Sequence, residues 1–212
     1  FTDLGELIDN LERPRNILLM IPSGQPTHSV INQLSNLLDE GDVIIDGGNS
    51  FYKESVNHGN ILSSKSIDFI GMGVSGGEEG ARHGPAIMVG SDNNLNDKLV
   101  ELLSAISAKA PDDCIGFYKG HGSGHFIKMV HNGIEYAEMQ LITEIYHLLK
   151  KSEYSNIKIA EFFESLKKIN QSSYLIEITS EILKKKDGEF FTLDLIKPFA
   201  NNKGTGKLTV ET

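Results

Sequence analysis

In the stretch HFIKMVHNGIEY, residues 125 to 136, four side chains able to do chemistry recur at i, i+3, i+4 and i+7: Lys128, His131, Asn132 and Glu135. If the stretch is helical, they fall within an arc of about 100° and form one polar stripe about 10 Å long. That spacing normally marks a buried apolar face, yet Phe126, Met129, Val130, Ile134 and Ala137 are left to pack the flanks. The pattern predicts the wall of a polar site; the competing reading is a solvated face laced by i,i+4 charge pairs. The approach KGHGSGH, residues 119 to 125, favours the site, because so glycine-rich a loop allows something to come close.

Lys128 is the side chain best suited to be a base, provided its surroundings bring its pKa down from about 10.4 toward neutrality. Glu135 could serve as an acid if a desolvated setting raises its pKa. His131 and Asn132 between them could hold hydroxyls. A metal is the poorer reading, since Lys128 with Asn132 is not a ligand pair and His131 with Glu135 supplies only two ligands.

Three glycine-bearing stretches add to the stripe. GGNS, residues 47 to 50, puts Asn49 where its amide can donate to one ligand and accept from another, although Gly-Gly-Asn is also common turn chemistry. VSGGEEGARHG, residues 74 to 84, has four glycines and reads as a loop of exposed backbone N–H groups able to hold a carboxylate or phosphate, with the Ser75 hydroxyl beside them. NNKGTGKLT, residues 201 to 209, is no Walker loop, but Lys203 and Thr205 could close on an anion.

The elements that must position these residues follow from periodicity. A helix is expected over 3–12 with Asp3 as N-cap, then a buried strand over 16–21, a helix over 29–38 and a strand over 43–46 running into GGNS. A helix over 51–64, strands over 67–73, 86–90 and 115–118, and a helix over 95–107 continue the alternation. Repeated strand–helix–strand units predict a parallel sheet covered on both faces, with ligands outside the carboxyl ends of its strands. From residue 125 onward only helices are expected, at about 125–151, 157–169 and 172–186. The reading is therefore a partial, Rossmann-like α/β domain over 1–120 and the start of an all-α domain over 121–212.

Composition bounds the partners. With 39% hydrophobic residues over 212 positions the chain can bury a real core. A net charge of -9 argues against a nucleic-acid surface, which needs a basic patch. No apolar run approaches the ~20 residues of a membrane span, and the single cysteine, Cys114, favours a reducing, cytoplasmic setting. Arg82, His83, Lys119, His121, His125, Lys128 and His131 cluster near the glycine-rich loops, which predicts a small anionic ligand there. The chain opens at Phe1, within a helical pattern, and closes at Thr212 without a tapering tail, which suggests a piece of a longer polypeptide.

With those residues in view, the chain resembles the 6-phosphogluconate dehydrogenase family. IIDGGNS, GVSGGEEGARHGP, GHFIKMVHNGIEYAEMQLI, SYLIEIT and KGTGK are close to family motifs in order and spacing, and the match runs along essentially the whole chain. The resemblance implies oxidative decarboxylation of 6-phospho-D-gluconate to D-ribulose 5-phosphate and CO2 with reduction of NADP, a step of the pentose phosphate pathway. It implies that Lys128 takes the proton of the C3 hydroxyl as hydride leaves, and that Glu135 protonates C1 of the enediol left after CO2 departs. Asn49, Ser75, Gly76, Gly77, His131, Asn132, Tyr136, Lys203 and Thr205 match substrate-contacting positions; Ile21, Pro22 and Ser23, with Asn49, match cofactor positions. No metal is implied, and the full-length protein is implied to be a homodimer.

Three departures qualify the resemblance. The family's opening GxGxxG unit and its later region are missing from this chain, so the polypeptide alone is expected to bind cofactor poorly. Pro22 stands where many of the longer enzymes have lysine, which leaves NADP against NAD open, and Leu208 follows KGTGK where an aromatic residue is usual. The alternatives are another β-hydroxyacid dehydrogenase of the 3-hydroxyisobutyrate type, in which two asparagines follow the lysine where His131 and Asn132 stand here, or a truncated, non-catalytic paralogue that binds a sugar acid.

Overall fold

Short apolar runs with polar punctuation leave the first half of this chain few alternatives to a layered α/β arrangement. The structure, a computed structural model, describes residues 1–169, 173–197 and 199; Lys203 and Thr205 lie outside the described residues. Two compact units are present, one of Phe1–His131 and one beginning at Asn132.

In the first unit the elements run α1 (Leu4–Asp9), β1 (Asn16–Leu19), α2 (Gln25–Leu34), β2 (Val43–Asp46), α3 (Tyr52–Ser63) and β3 (Asp68–Ser75). They continue with α4 (Gly77–His83), β4 (Ala86–Ser91), α5 (Asp97–Ile106), β5 (Ile115–Lys119) and the start of the long helix α6 (Ser123–Lys151). Asp3 caps α1 as its position suggests, accepting the Glu6 amide at 3.0 Å. The five strands lie in the order β1-β2-β3-β4-β5. Alternate residues serve opposite faces. Ile44 and Phe69 join Ile8, Ile17, Ile31, Leu34 and Leu62 in one core, while Val43, Ile45, Ile70 and Met72 join Ile87, Val89, Leu99 and Leu103 in another. Residues 71, 73 and 75 of β3 therefore share the face of Phe69.

The sheet is parallel except at one step. β1, β2 and β3 pair in parallel, β4 runs antiparallel to β3 with Gly71 opposite Gly90, and β5 is again parallel to β4. The link over residues 76–85 holds only the seven-residue α4, and a parallel crossover needs a dozen residues or more. The chain turns back instead. Two boundaries also differ from the sequence pattern. α2 begins at Gln25 behind Gly24, at φ 82°, with a proline in its first turn, and ends at Leu34. Part of the stretch expected to be a glycine-rich loop is α4.

At the other edge of the unit Arg15 ties the starts of β1 and β2. Its amide donates to Asp42 at 2.7 Å, and its guanidinium reaches Asp42 at 2.8 Å and Asp39 at 2.9 Å. Burial alone would raise the pKa of Asp42; the amides of Asp39 and Arg15 and the Arg15 guanidinium outweigh it and hold the carboxyl lowered.

The second unit is helical with one small ribbon. α7 (Asn156–Lys168) and α8 (Tyr174–Lys184) pack Ile159, Ala160, Phe163 and Leu183 into a core joined by Ile142, Ile145, Tyr146 and Leu149 of α6. Ser155 and Ser173 cap α7 and α8, and Ser173 also donates to Glu138. β6 (Lys186–Asp187), β7 (Phe190–Phe191) and α9 (Thr192–Leu195) follow. Among the described residues no helix is long and apolar enough to cross a membrane.

Two stability predictions follow from these contacts. Phe69, fully buried between α3 and the sheet core, should cost about 3–5 kcal/mol when cut to alanine, read by denaturant unfolding. Asp42 has a folded pKa below its unfolded value of about 3.9, so its stabilisation is present above about pH 4 and is lost as pH falls through the folded value. Asp42→Asn should lower the melting temperature at neutral pH and flatten the loss of stability below about pH 4 in a melting series.

Candidate functional site

The path of α6 over the sheet decides where Lys128 stands. β5 runs opposite to β3 and ends at Lys119, so the chain enters α6 beside the start of β3 and travels along β3 toward its carboxyl end. Contacts keep step. A Cβ built on Gly71 would lie 3.0 Å from Nδ1 of His125, a Cβ on Gly73 would lie 2.5 Å from Cβ of Lys128, and Ser75 Oγ is 3.5 Å from Nε2 of His131. Two strand residues advance about 6.6 Å and three or four helix residues about 4.5–6 Å, so alternate positions of β3 meet successive turns of α6. Lys128 is 9% exposed. His131 is half-buried, at the end of β3 where Ser75, Gly76 and Gly77 begin the turn into α4.

Gly76 and Gly77 are exposed and have φ of 145° and 57°. A side chain is disfavoured at both for that reason, and at Gly76 also because a Cβ would lie 2.7 Å from Cα of Gly80. Arg82 and His83 are exposed and pair with Glu78 and Glu79 along α4, so these two side chains serve their own helix.

The loops after β1 and β2 are packed together. A Cβ on Gly47 would lie 2.5 Å from Met20 Sδ, and one on Gly48 would lie 2.9 Å from the Ile21 carbonyl. Pro22, Ser23 and Asn49, which follow these contacts in the chain, are exposed and Ile21 is half-buried. Thr27 Oγ1 donates to the Pro22 carbonyl at 2.9 Å and steadies the first loop. The second is held by Asp46, which is fully buried and accepts from the Gly48 amide at 3.0 Å and from Ser50 Oγ at 2.6 Å.

His125 lies close by, with Nδ1 2.6 Å from Ser55 Oγ. Burial lowers its pKa and keeps the imidazole neutral, against the opposing pull of the Asp46 carboxylate and the carbonyls of Gly48, Asp46 and Met72. His58 is also lowered, first by burial and then by His28, whose Nδ1 is 3.0 Å from His58 Nε2. His121 is buried, with Nδ1 on the Phe69 carbonyl and Nε2 3.2 Å from Asp92. The histidines counted as part of a cationic cluster are thus partly internal supports. Asp46, Ser55 and Gly73 escaped sequence reasoning; the one available signal was an aspartate closing the apolar run VIID.

In the second unit Asn132 is 9% exposed, Glu135 is half-buried and Tyr136 is 40% exposed, all on the unbroken α6. The apolar residues of the stripe's flanks behave differently from expectation. Met129 is buried, but Phe126, Val130 and Ile134 are 39%, 40% and 66% exposed. Among the described residues no group of three or more His, Cys, Asp and Glu side chains is placed to hold a metal ion.

This geometry has relatives. Residues 1–120 match the family described as the NAD binding domain of 6-phosphogluconate dehydrogenase, and residues 124–212 match the one described as 6-phosphogluconate dehydrogenase, C-terminal domain. The chain is 46% identical to a decarboxylating 6-phosphogluconate dehydrogenase of Lactococcus lactis, over 98% of this chain and 45% of that protein. It superposes on the 6-phosphogluconate dehydrogenase of Plasmodium falciparum, a protein described with its cofactor NADP+ and its substrate 6-phosphogluconate, with a TM-score of 0.90 at 40% identity, over 99% of this chain and 46% of that one. A 3-hydroxyisobutyrate dehydrogenase of Mycobacterium tuberculosis shares the fold alone, at a TM-score of 0.66 and 16% identity over 84% of this chain and 57% of that one. The chain spans about half the length of the curated relatives it matches.

The buried imidazoles make a pH prediction. His58 and His125 have folded pKa values below the unfolded value of about 6.5, so below that pH the unfolded chain takes up protons that the folded chain refuses. The melting temperature should fall as pH drops from about 6.5 toward 5, a window well above that of Asp42. His58→Gln should make that decline shallower in a series of thermal melts.

Proposed function

This chain belongs to the 6-phosphogluconate dehydrogenase family, and from that premise we propose that its protein oxidises and decarboxylates 6-phospho-D-gluconate to D-ribulose 5-phosphate and CO2, with NADP as hydride acceptor. The observation that carries the reading is the seating of a buried lysine at the carboxyl end of β3, one helical turn before a histidine in reach of Ser75.

Lys128 accepts the proton of the C3 hydroxyl while hydride leaves C3. A nicotinamide cofactor would supply the hydride acceptor, and Ile21, Pro22, Ser23 and Asn49, on loops at the carboxyl ends of adjacent parallel strands, would hold it. The resulting 3-keto acid breaks its C1–C2 bond and releases CO2, and the Lys128 ammonium stabilises the enolate as charge develops. Glu135 then returns a proton to the carbon that was C2 of the acid and is C1 of the enediol. Asn49, Ser75, Gly76, Gly77, His131, Asn132 and Tyr136 hold the hydroxyls and carboxylate of the substrate, and the family resemblance assigns Lys203 and Thr205 to the same substrate.

Lys128→Met should cut kcat by about 10²–10⁴-fold, the range of a general base, in a spectrophotometric assay of NADPH formation. Glu135→Gln should slow kcat while KM for 6-phosphogluconate changes little. Assays with 6-phosphogluconate and with 3-hydroxyisobutyrate test the reading itself, and turnover of only the second would sink it.

A further inference from the structure

We infer that Gly73 is a positioning residue for Lys128: it is glycine because the stem of the lysine occupies the space a side chain would need. This deepens the reading of Lys128 as the base and rests on it. Gly73 lies inside β3, paired with Met88 of β4 and buried. A glycine in mid-strand weakens the strand unless something else requires it.

Backbone conformation is not the requirement. Gly24, Gly76, Gly77 and Gly84 adopt positive φ, and Gly73 does not. Its demand is for space. A Cβ there would lie 2.5 Å from Lys128 Cβ, 3.3 Å from Lys128 Cγ and 2.7 Å from the Gly124 carbonyl. Carbon atoms rest about 3.5–4.0 Å apart, so the lysine stem or the helix must move. Two residues earlier Gly71 makes the same kind of room for the start of α6, where a Cβ would lie 2.2 Å from the His121 carbonyl. There the neighbour is backbone. At Gly73 the neighbour includes the first two carbons of a chemically active side chain, so the strand sets the direction in which that side chain leaves the helix. With Lys128 only 9% exposed, a methyl group at position 73 pushes the stem off the strand and toward water.

The test reads Lys128 itself and needs no turnover. Competitive acetylation of the folded protein with acetic anhydride, followed by peptide mass spectrometry, gives the reactivity of each lysine, with exposed Lys53 and Lys98 as internal standards. Labelled near pH 10.5, where a change of solvation alters the free-amine fraction by only about twofold, Gly73→Ala should raise the reactivity of Lys128 relative to those standards by about tenfold, because the displaced amine comes within reach of the reagent. Val74→Ala, next in the strand and packed against the opposite core, should leave it within about twofold even though it removes core volume. A Lys128 reactivity within about twofold of the parent in Gly73→Ala overturns the proposal. If Gly73→Ala fails to fold, the same substitution in a Lys128→Gly background should restore folding, and failure of both variants assigns the glycine to the Gly124 carbonyl and equally overturns it. Loss of turnover in the parent protein, with the acetylation pattern as expected, would instead count against the functional reading alone.

Discussion

The first turn of α6 comes down on β3 and β4 at Gly124, where glycines leave no side chain of the sheet in the way, and the rest of the site depends on that contact. Gly71 and Gly90 face each other across the antiparallel pair, and a Cβ on Gly124 would lie 2.2 Å from the carbonyls of both Gly71 and Met88. Backbone therefore meets backbone. Side chains normally hold a helix away from a sheet and let it slide by a fraction of a turn. Here the approach is close enough that the period of the strand and the pitch of the helix must agree. The result is the pairing of Gly71 with His125, Gly73 with Lys128 and Ser75 with His131.

The same strand order that delivers the helix also gathers the loops. Because β4 turns back against β3, the chain reaches α6 at the amino end of β3 and can run the length of that strand before leaving the unit. The loops at the carboxyl ends of β1 and β2 pack on each other and are held by Thr27 and Asp46. A buried carboxylate is costly unless its lone pairs are satisfied, and Asp46 accepts from a backbone amide and a hydroxyl in a turn of minimal length. Neutral His125 nearby adds no second charge to that interior.

α6 inverts the usual amphipathic rule. Lys128 and Asn132 are buried while Phe126, Val130 and Ile134 are largely exposed. A helix with its polar face inward is held by geometry and hydrogen bonding, whereas hydrophobic transfer would favour the other face. Within the second unit the later turns of the same helix follow the ordinary rule, with Ile142, Ile145 and Leu149 packed against α7 and α8.

By itself the sequence determined the strand–helix alternation, the cap at Asp3, the shift to helices after residue 125 and the polar stripe from Lys128 to Glu135, because each is a local matter of period, capping chemistry or residue type. Its glycines and motifs also sufficed for the family. Only the tertiary structure decided that β4 runs antiparallel, that residues 77–83 form a helix, that α2 starts at Gln25, and that His121 and His125 are internal supports. These depend on which segments meet. A lone Asp46 at the end of a strand, or a Gly73 in the middle of one, has no periodic signature; the need for that aspartate or that glycine exists only once Gly48, Ser50 and the stem of Lys128 have been brought against them.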